Sequence, residues 1–221
     1  MRKGYVVVLM GPPGSGKGSL ARLCQETMGW QHFSTGNLCR QHIMDSTDFG
    51  KKIDFIIKSG NLVPDELICE MVEQWILTVI QRQEGIVLDG YPRTQKQAVH
   101  LFDIINKFAH ALYVVKLHSV DQVIIDRLCQ RYVCQNGMCQ ISYSLAKDNE
   151  LSDMRCNQCF SPLGRRSDDQ KEIVIERLRT YYTHEKNVLD VCVKMKQPVM
   201  ICDNNASLQE TFESFKRLIV T

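Results

Sequence analysis

The 221-residue sequence has little of what would mark a membrane, secreted or polyanion-binding protein. No apolar run comes near the roughly 20 residues that a membrane-spanning helix needs. Only six apolar residues follow the basic start of the chain before glycines and prolines intervene, which is too short for a signal peptide. The 27 basic and 25 acidic residues leave a net charge of +2, so no overall field favours a nucleic acid. These absences predict a cytoplasmic protein with no membrane or nucleic-acid partner.

What the sequence contains is ordinary for a globular domain, apart from its cysteines. Apolar residues make up 44% and charged residues 24%, which excludes a disordered chain. Ten cysteines are many for this length. Four of them are spaced in pairs, and in a reducing compartment such pairs indicate a metal rather than disulfides. The other six lie in apolar segments and are predicted to be buried free thiols: Cys24, Cys39, Cys69, Cys129, Cys192 and Cys202.

Short apolar runs alternate with long amphipathic stretches. The alternation predicts right-handed crossovers, and therefore an α/β fold with a central parallel sheet and helices on both faces. Strands are predicted at 5–10, 86–88, 111–117 and 198–201, with a weaker candidate at 32–33, and helices at 15–28, 65–81 and 170–186. Residues 131–169 break the pattern, because this segment is polar and turn-rich. We expect it to be a small inserted lobe without an apolar core of its own.

A glycine-rich segment, residues 11–19 (GPPGSGKGS), follows the first predicted strand and opens a helix. This is the context that a phosphate-binding loop requires. Glycines allow successive backbone N–H groups to point into one concavity, and the helix N-terminus adds partial positive charge there. Lys17 adds a full charge for the β- and γ-phosphates, and Ser19 supplies a hydroxyl on the Mg²⁺ side. Gly18 stands between the lysine and this hydroxyl, where the general pattern has none.

This loop resembles that of the adenylate kinase family, and the family's other landmarks follow in order. Residues 33–40 (FSTGNLCR), 60–67 (GNLVPDEL) and 87–94 (VLDGYPRT) are similar to its STGDxxR, GxLVPDE and LDGFPRT segments. Residues 126–131 (DRLCQR) and 165–178 match its paired arginines and its RxDD…RL segment. The likeness implies a P-loop three-layer fold with a five-stranded parallel sheet. It further implies a core (1–33, 64–130 and 170–221), a nucleoside-monophosphate-binding flap (34–63) and a lid (131–169).

The resemblance also implies roles for single residues. Mg²⁺ bound with ATP is expected near Ser19 and Asp89. The AMP-binding residues it implies are Thr35, Arg40, Asn61, Leu62, Val63, Gly90, Tyr91, Pro92, Arg93, Gln97, Arg166 and Arg177. The ATP-binding residues it implies are Gly14, Ser15, Gly16, Lys17, Gly18, Ser19, Arg127, Arg131, Ser142 and Tyr143. Catalytic roles are implied for Lys17, Arg93, Arg131, Arg166 and Arg177.

The basic residues form a consistent set even without the family name. Seven basic residues stand at motif positions and suit the charge of two nucleotides: Lys17, Arg40, Arg93, Arg127, Arg131, Arg166 and Arg177. Arg127 and Arg131 are four residues apart, so on one helix they would share a face. Arg165 and Arg166 are adjacent, and spacing does not choose between them; the family pattern favours Arg166. Asp168 and Asp169 are able to pair with arginines.

The chemistry implied is Mg·ATP + AMP ⇌ 2 ADP. A phosphate acceptor is already ionised, so transfer needs alignment and charge neutralisation rather than a general base. No Ser/His/Asp constellation accompanies the six histidines (32, 42, 100, 110, 118 and 184), which are expected to serve surface or packing roles. A lid that closes over the nucleotides would keep water from the γ-phosphate. The family likeness also suggests a monomer.

The paired cysteines, Cys134 and Cys139 with Cys156 and Cys159, predict a structural Zn²⁺ site in the lid. Redox-active or disulfide pairs and a vacant remnant of a metal site remain alternatives. Lids of this type in the family carry CxxC in both halves, whereas the first pair here is C-x4-C. The lid also lacks the family's FNPP stretch.

Other departures from the family are smaller: Asn37 replaces Asp, Ser19 replaces Thr, and Tyr91 replaces Phe. Residues 203–207 (DNNAS) lack the family's glycine-rich adenine contact, so no site residue is assigned there. A UMP or CMP kinase is the nearest alternative, although Thr35, Gln97 and the long lid favour adenine. A non-enzymatic zinc-ribbon protein that binds nucleic acid is a second alternative, disfavoured by the few basic and aromatic residues between Cys134 and Cys159.

Overall fold

The computed structural model describes residues 5–80, 85–108, 110–144, 153–205 and 207–219. Its strands are β1 (Tyr5–Met10), β2 (Gln31–Ser34), β3 (Ile86–Asp89), β4 (Ala111–His118), β5 (Arg131–Cys134), β6 (Ser142–Ser144), β7 (Leu163–Gly164) and β8 (Val199–Asp203). Its helices are α1 (Lys17–Met28), α2 (Thr35–Met44), α3 (Asp48–Lys58), α4 (Asp65–Val79), α5 (Gln95–Phe108), α6 (Asp121–Cys129), α7 (Lys171–Lys194) and α8 (Leu208–Ile219).

The chain divides into two compact units. The first unit comprises Met1–Thr35, Pro64–Ser119 and Tyr181–Thr221, and the second comprises Gly36–Val63 and Val120–Thr180. The division into core, flap and lid at the residues named above stays a prediction. Within the described ranges, no helix has the length and apolar character needed to cross a membrane.

The first unit is built on a five-stranded parallel sheet in the order β2-β3-β1-β4-β8, as the sequence predicts. All five predicted strands are present, including the weak candidate, which becomes β2. Strand β1 is central because its apolar run YVVVLM is covered on both faces. Val7 packs in one buried cluster with Leu20 of α1 and Phe215 of α8, while its neighbours Val6 and Val8 are equally buried.

The sheet register brings functional segments to one edge. Leu9 of β1 pairs with Asp89, the last residue of β3, and Asp89 pairs in turn with Ser34, the last residue of β2. Because the strands are parallel, the loops that follow them leave from the same edge of the sheet. The glycine-rich segment that follows β1 therefore begins next to Asp89.

Three helix boundaries differ from those predicted. Helix α1 begins at Lys17 rather than Ser15, because Gly16 takes a left-handed conformation at φ +84° and caps the helix. Helix α4 ends at Val79, and the predicted end at Gln81 lies outside the described residues. Helix α7 runs eight residues past the predicted end, to Lys194.

The second unit corrects two expectations. Helix α6 ends at Cys129 and Arg131 begins strand β5, so Arg127 and Arg131 do not share a helix. The run Tyr132–Val133 suits a strand better than a further helical turn. Strands β6, β5 and β7 form a small antiparallel sheet. It does have an apolar cluster of its own, in which Leu163 packs with the paired cysteines and with Tyr132, Ile141, Tyr143 and Met154.

Five of the six scattered cysteines are buried free thiols, as predicted. Cys129, at the end of α6, is only half-buried.

Candidate active site

The loop between β1 and α1 is shaped by glycines in the left-handed region. Gly14 and Gly16 have φ of +81° and +84°, and the backbone N–H of Ser15 donates to the Pro12 carbonyl oxygen at 3.1 Å. The loop leads directly into the N-terminus of α1. Backbone N–H groups without intrahelical partners occur at such a terminus, and together with the helix dipole they favour an anion.

Lys17, the first residue of α1, places its ammonium group at this loop. Its Nζ donates to the carbonyl oxygens of Gly11 at 2.7 Å and Pro12 at 2.8 Å, and lies 3.4 Å from Ser15 Oγ. The full positive charge and the helix N-terminus therefore belong to the same short stretch of chain.

Asp89 brings a carboxylate to the same stretch. A Cβ atom on Gly18 would lie 3.2 Å from Asp89 Oδ2, so the carboxylate stands against the first turn of α1. Ser34 Oγ donates to Asp89 Oδ2 at 3.3 Å. Ser19, the next residue of α1, is exposed. A carboxylate and a hydroxyl are oxygen ligands of the kind that Mg²⁺ prefers, so these residues fit a magnesium–nucleotide complex.

The segment after β3 is held by side-chain and backbone hydrogen bonds. Arg93 Nε donates to the Gly90 carbonyl oxygen at 2.9 Å, and a Cβ on Gly90 (φ +80°) would lie 2.7 Å from Arg93 Nη2. Gln97 is buried and accepts from the Arg93 backbone N–H at 2.7 Å. Thr35 Oγ1 donates to the Gly90 carbonyl oxygen at 3.2 Å. The structure thus brings together Thr35, Gly90, Arg93 and Gln97 of the predicted AMP-binding set; Tyr91 in the same segment is fully buried.

In the second unit, two buried carboxylates hold two of the predicted arginines. Arg131 Nε and Nη2 donate to the two oxygens of Asp169 at 2.8 and 2.6 Å. Arg177 Nη1 lies 3.1 Å from Asp169 Oδ1 and 3.1 Å from Asp168 Oδ2. The bidentate pairing of Arg131 with Asp169 fixes the plane of the Arg131 guanidinium group, whereas Arg177 contacts both carboxylates through Nη1 alone. Burial acts to raise the pKa of Asp168, but the Arg177 charge and three further arginines outweigh it and lower that pKa.

Arg166 differs from the arginines around it. Among the described residues, its buried Nε atom has no hydrogen-bond partner. Burial, and then the charges of Arg40 and Arg131, hold the pKa of Arg166 well below its ordinary value, while Asp168 and Asp169 act in the opposite direction. Arg166 is half-buried, and its guanidinium group beside those of Arg40 and Arg131 leaves positive charge that an anion would neutralise. Arg165, in contrast, is exposed and donates to the Cys129 carbonyl oxygen at 2.5 Å.

The remaining predicted residues of the second unit lie in three places. Arg127 is half-buried on α6, and Ser142 and Tyr143 lie on β6. Residues 61–63 follow Gly60, whose φ of +79° and missing Cβ allow the backbone to pass close to Arg177 Cγ. Of these, Asn61 is exposed and Val63 is buried.

The four paired cysteines converge. The Sγ atoms of Cys134, Cys139, Cys156 and Cys159 all lie within 4.8 Å of one another. The Cys134–Cys159 and Cys139–Cys156 sulfurs are 3.3 and 3.7 Å apart. Sulfurs around a tetrahedral zinc ion, with Zn–S bonds of about 2.3 Å, stand about 3.8 Å apart. The cluster therefore has the composition and size of a closed four-thiolate site.

Donors around Cys156 favour its thiolate, whereas burial raises the pKa of Cys134 and of Cys139. The backbone N–H of Gln158 donates to Cys156 Sγ at 3.5 Å, and Tyr143 Oη lies 3.2 Å from the same sulfur. Burial would raise the pKa of Cys156, but Tyr143 and the backbone donors outweigh it and lower the pKa to about 6. Tyr143 was assigned to ATP from the resemblance, and its hydroxyl here contacts a cysteine of the cluster.

Comparison with known proteins agrees with this geometry. The profile of the adenylate kinase family matches residues 9–197. An adenylate kinase of Caldanaerobacter subterraneus subsp. tengcongensis is 35% identical over 215 residues, which cover 97% of this chain and 96% of that protein. Adenylate kinases of Chlamydia muridarum and Chlamydia felis are 32% and 38% identical, and the matches cover 96% and 86% of this chain.

The chain belongs to the adenylate kinase family. The resemblance identified from the motifs is therefore confirmed, as is the α/β fold with its five-stranded sheet. Membership makes the chain an enzyme of phosphoryl transfer between adenine nucleotides.

Asp65 and Asn204 support the motif residues, although the sequence predicts no role for either. Asp65, at the start of α4, accepts from Gln97 Nε2 at 2.7 Å and from Thr94 Oγ1 at 2.8 Å. His32, predicted to serve a surface or packing role, is half-buried in β2; its Nε2 atom lies 3.9 Å from Asp89 Oδ2 and has no hydrogen-bond partner among the described residues. Asn204, just after β8, donates to the Ser15 carbonyl oxygen.

The sequence carried only weak signals of these contacts. Asp65 stands inside a matched motif, but the pattern does not indicate a partner 32 residues away. Asn204 lies in a segment that departs from the family.

Replacement of Asp168 by Asn tests the carboxylate–arginine cluster through its pH dependence. The lowered pKa of Asp168 means that its contribution to stability is complete above the unfolded value of about 3.9 and is lost as pH falls through the folded value. We therefore expect Asp168→Asn to be less stable than wild type at pH 6 by about 1–3 kcal/mol. The difference should stay constant down to about pH 4 and narrow as the pH falls further, as measured by urea unfolding.

Asp103→Asn provides the control, because Asp103 is exposed on α5. Its stability curve should run parallel to that of wild type over the same range. A gap between Asp168→Asn and wild type that stays constant from pH 6 to pH 3 would contradict the role given to the Asp168 charge.

Proposed function

We propose that the chain catalyses Mg·ATP + AMP ⇌ 2 ADP. Three observations support the proposal: membership of the adenylate kinase family, the glycine loop with the Lys17 ammonium group, and the arginine cluster of the second unit. The observation that carries most weight is Arg166, whose buried Nε has no partner within the described residues and whose charge is flanked by Arg40 and Arg131. Such a cluster is suited to the phosphate of a nucleotide rather than to a protein carboxylate, since Asp168 and Asp169 already pair with other arginines.

The proposed roles follow from charge. The loop 11–19, with Lys17, would hold the β- and γ-phosphates of ATP, and the arginines would neutralise the acceptor phosphate and the transferring group. Positioning and electrostatic stabilisation account for most of the catalysis of such transfers. The acceptor phosphate is ionised at neutral pH, so no side chain has to remove a proton. Thr35, Gly90 and Gln97, together with 61–63, would hold the AMP nucleoside.

Magnesium belongs to the same proposal. Ser19 and Asp89 would hold the ion with its water ligands, and Mg²⁺ supplies charge neutralisation on the triphosphate when bound. Ser34 keeps the Asp89 carboxylate in place through its hydroxyl.

We also propose that Cys134, Cys139, Cys156 and Cys159 bind a structural Zn²⁺ ion. The distances among the sulfurs support a four-sulfur metal site, and the donors from Tyr143 and Gln158 favour the thiolate of Cys156. Four thiolates around a zinc ion make a closed, non-catalytic site. Because the apolar cluster around the thiols is small, metal binding would add much of the folding free energy of this lobe. Cytoplasmic location, a monomeric state and the lack of a nucleic-acid partner stay predictions of the sequence.

The acceptor assay tests the reaction itself. With Mg·ATP as donor and equal concentrations of AMP, CMP, UMP and GMP, we expect AMP to be used at least about tenfold better than the others in kcat/KM, because a buried polar site that pairs with one base discriminates against another. Coupled detection of ADP and of the second diphosphate measures each rate. Equal or greater activity with UMP or CMP would assign the chain to another acceptor.

Replacement of Arg166 by Met separates catalysis from stability. Loss of this charge should lower kcat/KM for AMP by about 100-fold or more, an effect typical of a transition-state charge contact. Stability should not fall, because a half-buried guanidinium group that is repelled by two others is replaced by an apolar side chain of similar length. Steady-state kinetics and urea unfolding measure the two effects.

Arg165→Met is the matched control, since Arg165 is exposed and adjacent. It should retain kcat/KM for AMP within about threefold, as surface substitutions usually do. If Arg165→Met were the impaired variant and Arg166→Met the active one, the assignment between the two arginines would be reversed.

Metal analysis tests the zinc proposal. Protein purified without chelator should contain about one zinc ion per chain, and Cys156→Ser should contain far less and unfold at lower temperature, because three thiolates and a hydroxyl make a poorer site. Cys129→Ser, which alters a half-buried thiol outside the cluster, should keep its zinc. Wild-type protein without zinc, or equal zinc in Cys156→Ser and wild type, would count against the site.

A further inference from the structure

Asn204 joins strand β8 to the glycine loop. It is the first residue after β8 and is buried, with a fractional exposure of 6%. Its backbone N–H donates to the His118 carbonyl oxygen, at the end of β4, at 3.0 Å. Its side-chain Nδ2 donates to the Ser15 carbonyl oxygen at 2.5 Å. A single side chain therefore connects the edge strand of the sheet to the middle of the loop 11–19.

The orientation of the Asn204 carboxamide is set by Thr211 on α8. Thr211 is also buried, and its Oγ1 lies 2.9 Å from Asn204 Oδ1 and 2.9 Å from the Ser207 carbonyl oxygen, so its single proton has two acceptors in reach. Because the Ser15 carbonyl oxygen can only accept, the amide nitrogen of Asn204 faces it, and the amide oxygen faces the Thr211 hydroxyl. A buried amide with partners on both sides has little freedom to rotate.

Contact with the loop is steric as well as polar. A Cβ atom on Gly16 would lie only 2.5 Å from Asn204 Nδ2, so the loop backbone and the carboxamide touch. The Ser15 carbonyl and the Gly16 N–H belong to one planar trans peptide, in which the two bonds point in opposite directions. Holding the Ser15 oxygen toward Asn204 therefore directs the Gly16 N–H to the opposite side of the peptide.

We propose that Asn204, oriented by Thr211, is a positioning residue for ATP: it fixes the Ser15–Gly16 peptide so that the Gly16 N–H points at a bound phosphate. The inference rests on the proposed function, because it requires that the loop 11–19 binds the triphosphate. Within that function it assigns a role to a segment where the sequence departs from the family. Asn204 touches no reacting atom and acts through the backbone of the loop.

Asn204→Ala removes the side-chain amide that donates to the Ser15 carbonyl oxygen. We expect Kd and KM for ATP to rise about tenfold, the cost of one buried hydrogen bond and a disordered peptide. Kd for AMP should change less than about twofold, since AMP does not use this loop. Thr211→Val, which keeps Asn204 but releases its orientation, should raise Kd for ATP by about threefold and serves as the test if Asn204→Ala does not fold.

Asn205→Ala is the matched control, because Asn205 is exposed and bonds only to Asp203 among the contacts described. Isothermal titration with ATP and with AMP, and thermal unfolding, should be run on all four proteins. A folded Asn204→Ala with wild-type Kd for ATP would overturn the inference, and so would equal losses for ATP and AMP, which a general structural role predicts. Wild-type protein that fails to bind ATP at all would instead overturn the proposed function.

Discussion

The concentration of positive charge is the constraint on which this structure depends. The chain as a whole is nearly neutral, with a net charge of +2, so affinity for a polyphosphate has to come from how the fold gathers a few basic groups. The two units solve this differently. The first uses backbone N–H groups, one helix N-terminus and Lys17, whereas the second brings several guanidinium groups close together. Mutual repulsion of the arginines is reduced by Asp168 and Asp169, which neutralise part of the charge. Asp169 also fixes the plane of the Arg131 guanidinium group, and both carboxylates contact Nη1 of Arg177.

The parallel sheet gives the first unit its precision. Strands β1, β2 and β3 are in a register that ends each of them at the same edge, so the glycine loop, Ser34 and Asp89 start from a rigid, fully buried base. Apolar strand residues such as Val7 and Leu88 contribute nothing to ligand contacts directly, but their burial fixes where the polar residues that follow them begin. The active-site geometry is thus a consequence of core packing.

Much of this could be predicted because local sequence patterns determine it. The run YVVVLM, the glycine spacing and the position of Lys17 are sufficient to predict a strand, a loop and a helix in that order. The spacing of the paired cysteines is sufficient to predict that the two pairs come together. Arg166 could be favoured over Arg165 only through the resemblance, whereas the structure separates the two by burial and partners. The shared helix predicted for Arg127 and Arg131 is wrong, since the helical spacing of two residues does not reveal that the helix ends between them.

Contacts between segments that are distant in the sequence could not be predicted from local patterns. Asp65 meets Gln97 and Asn204 meets Ser15, across 32 and 189 residues of chain. No periodicity or spacing in the sequence predicts either pair. The sequence around an amide or a carboxylate in a loop does not show whether the group binds water or a distant part of the chain. Only the tertiary structure determines which partner the group has. Burial then makes the contact important for stability, because loss of the partner leaves a buried polar atom without a hydrogen bond. The phosphate-binding loop can be recognised from its own nine residues, but the side chain that fixes one of its peptides comes from the other end of the chain.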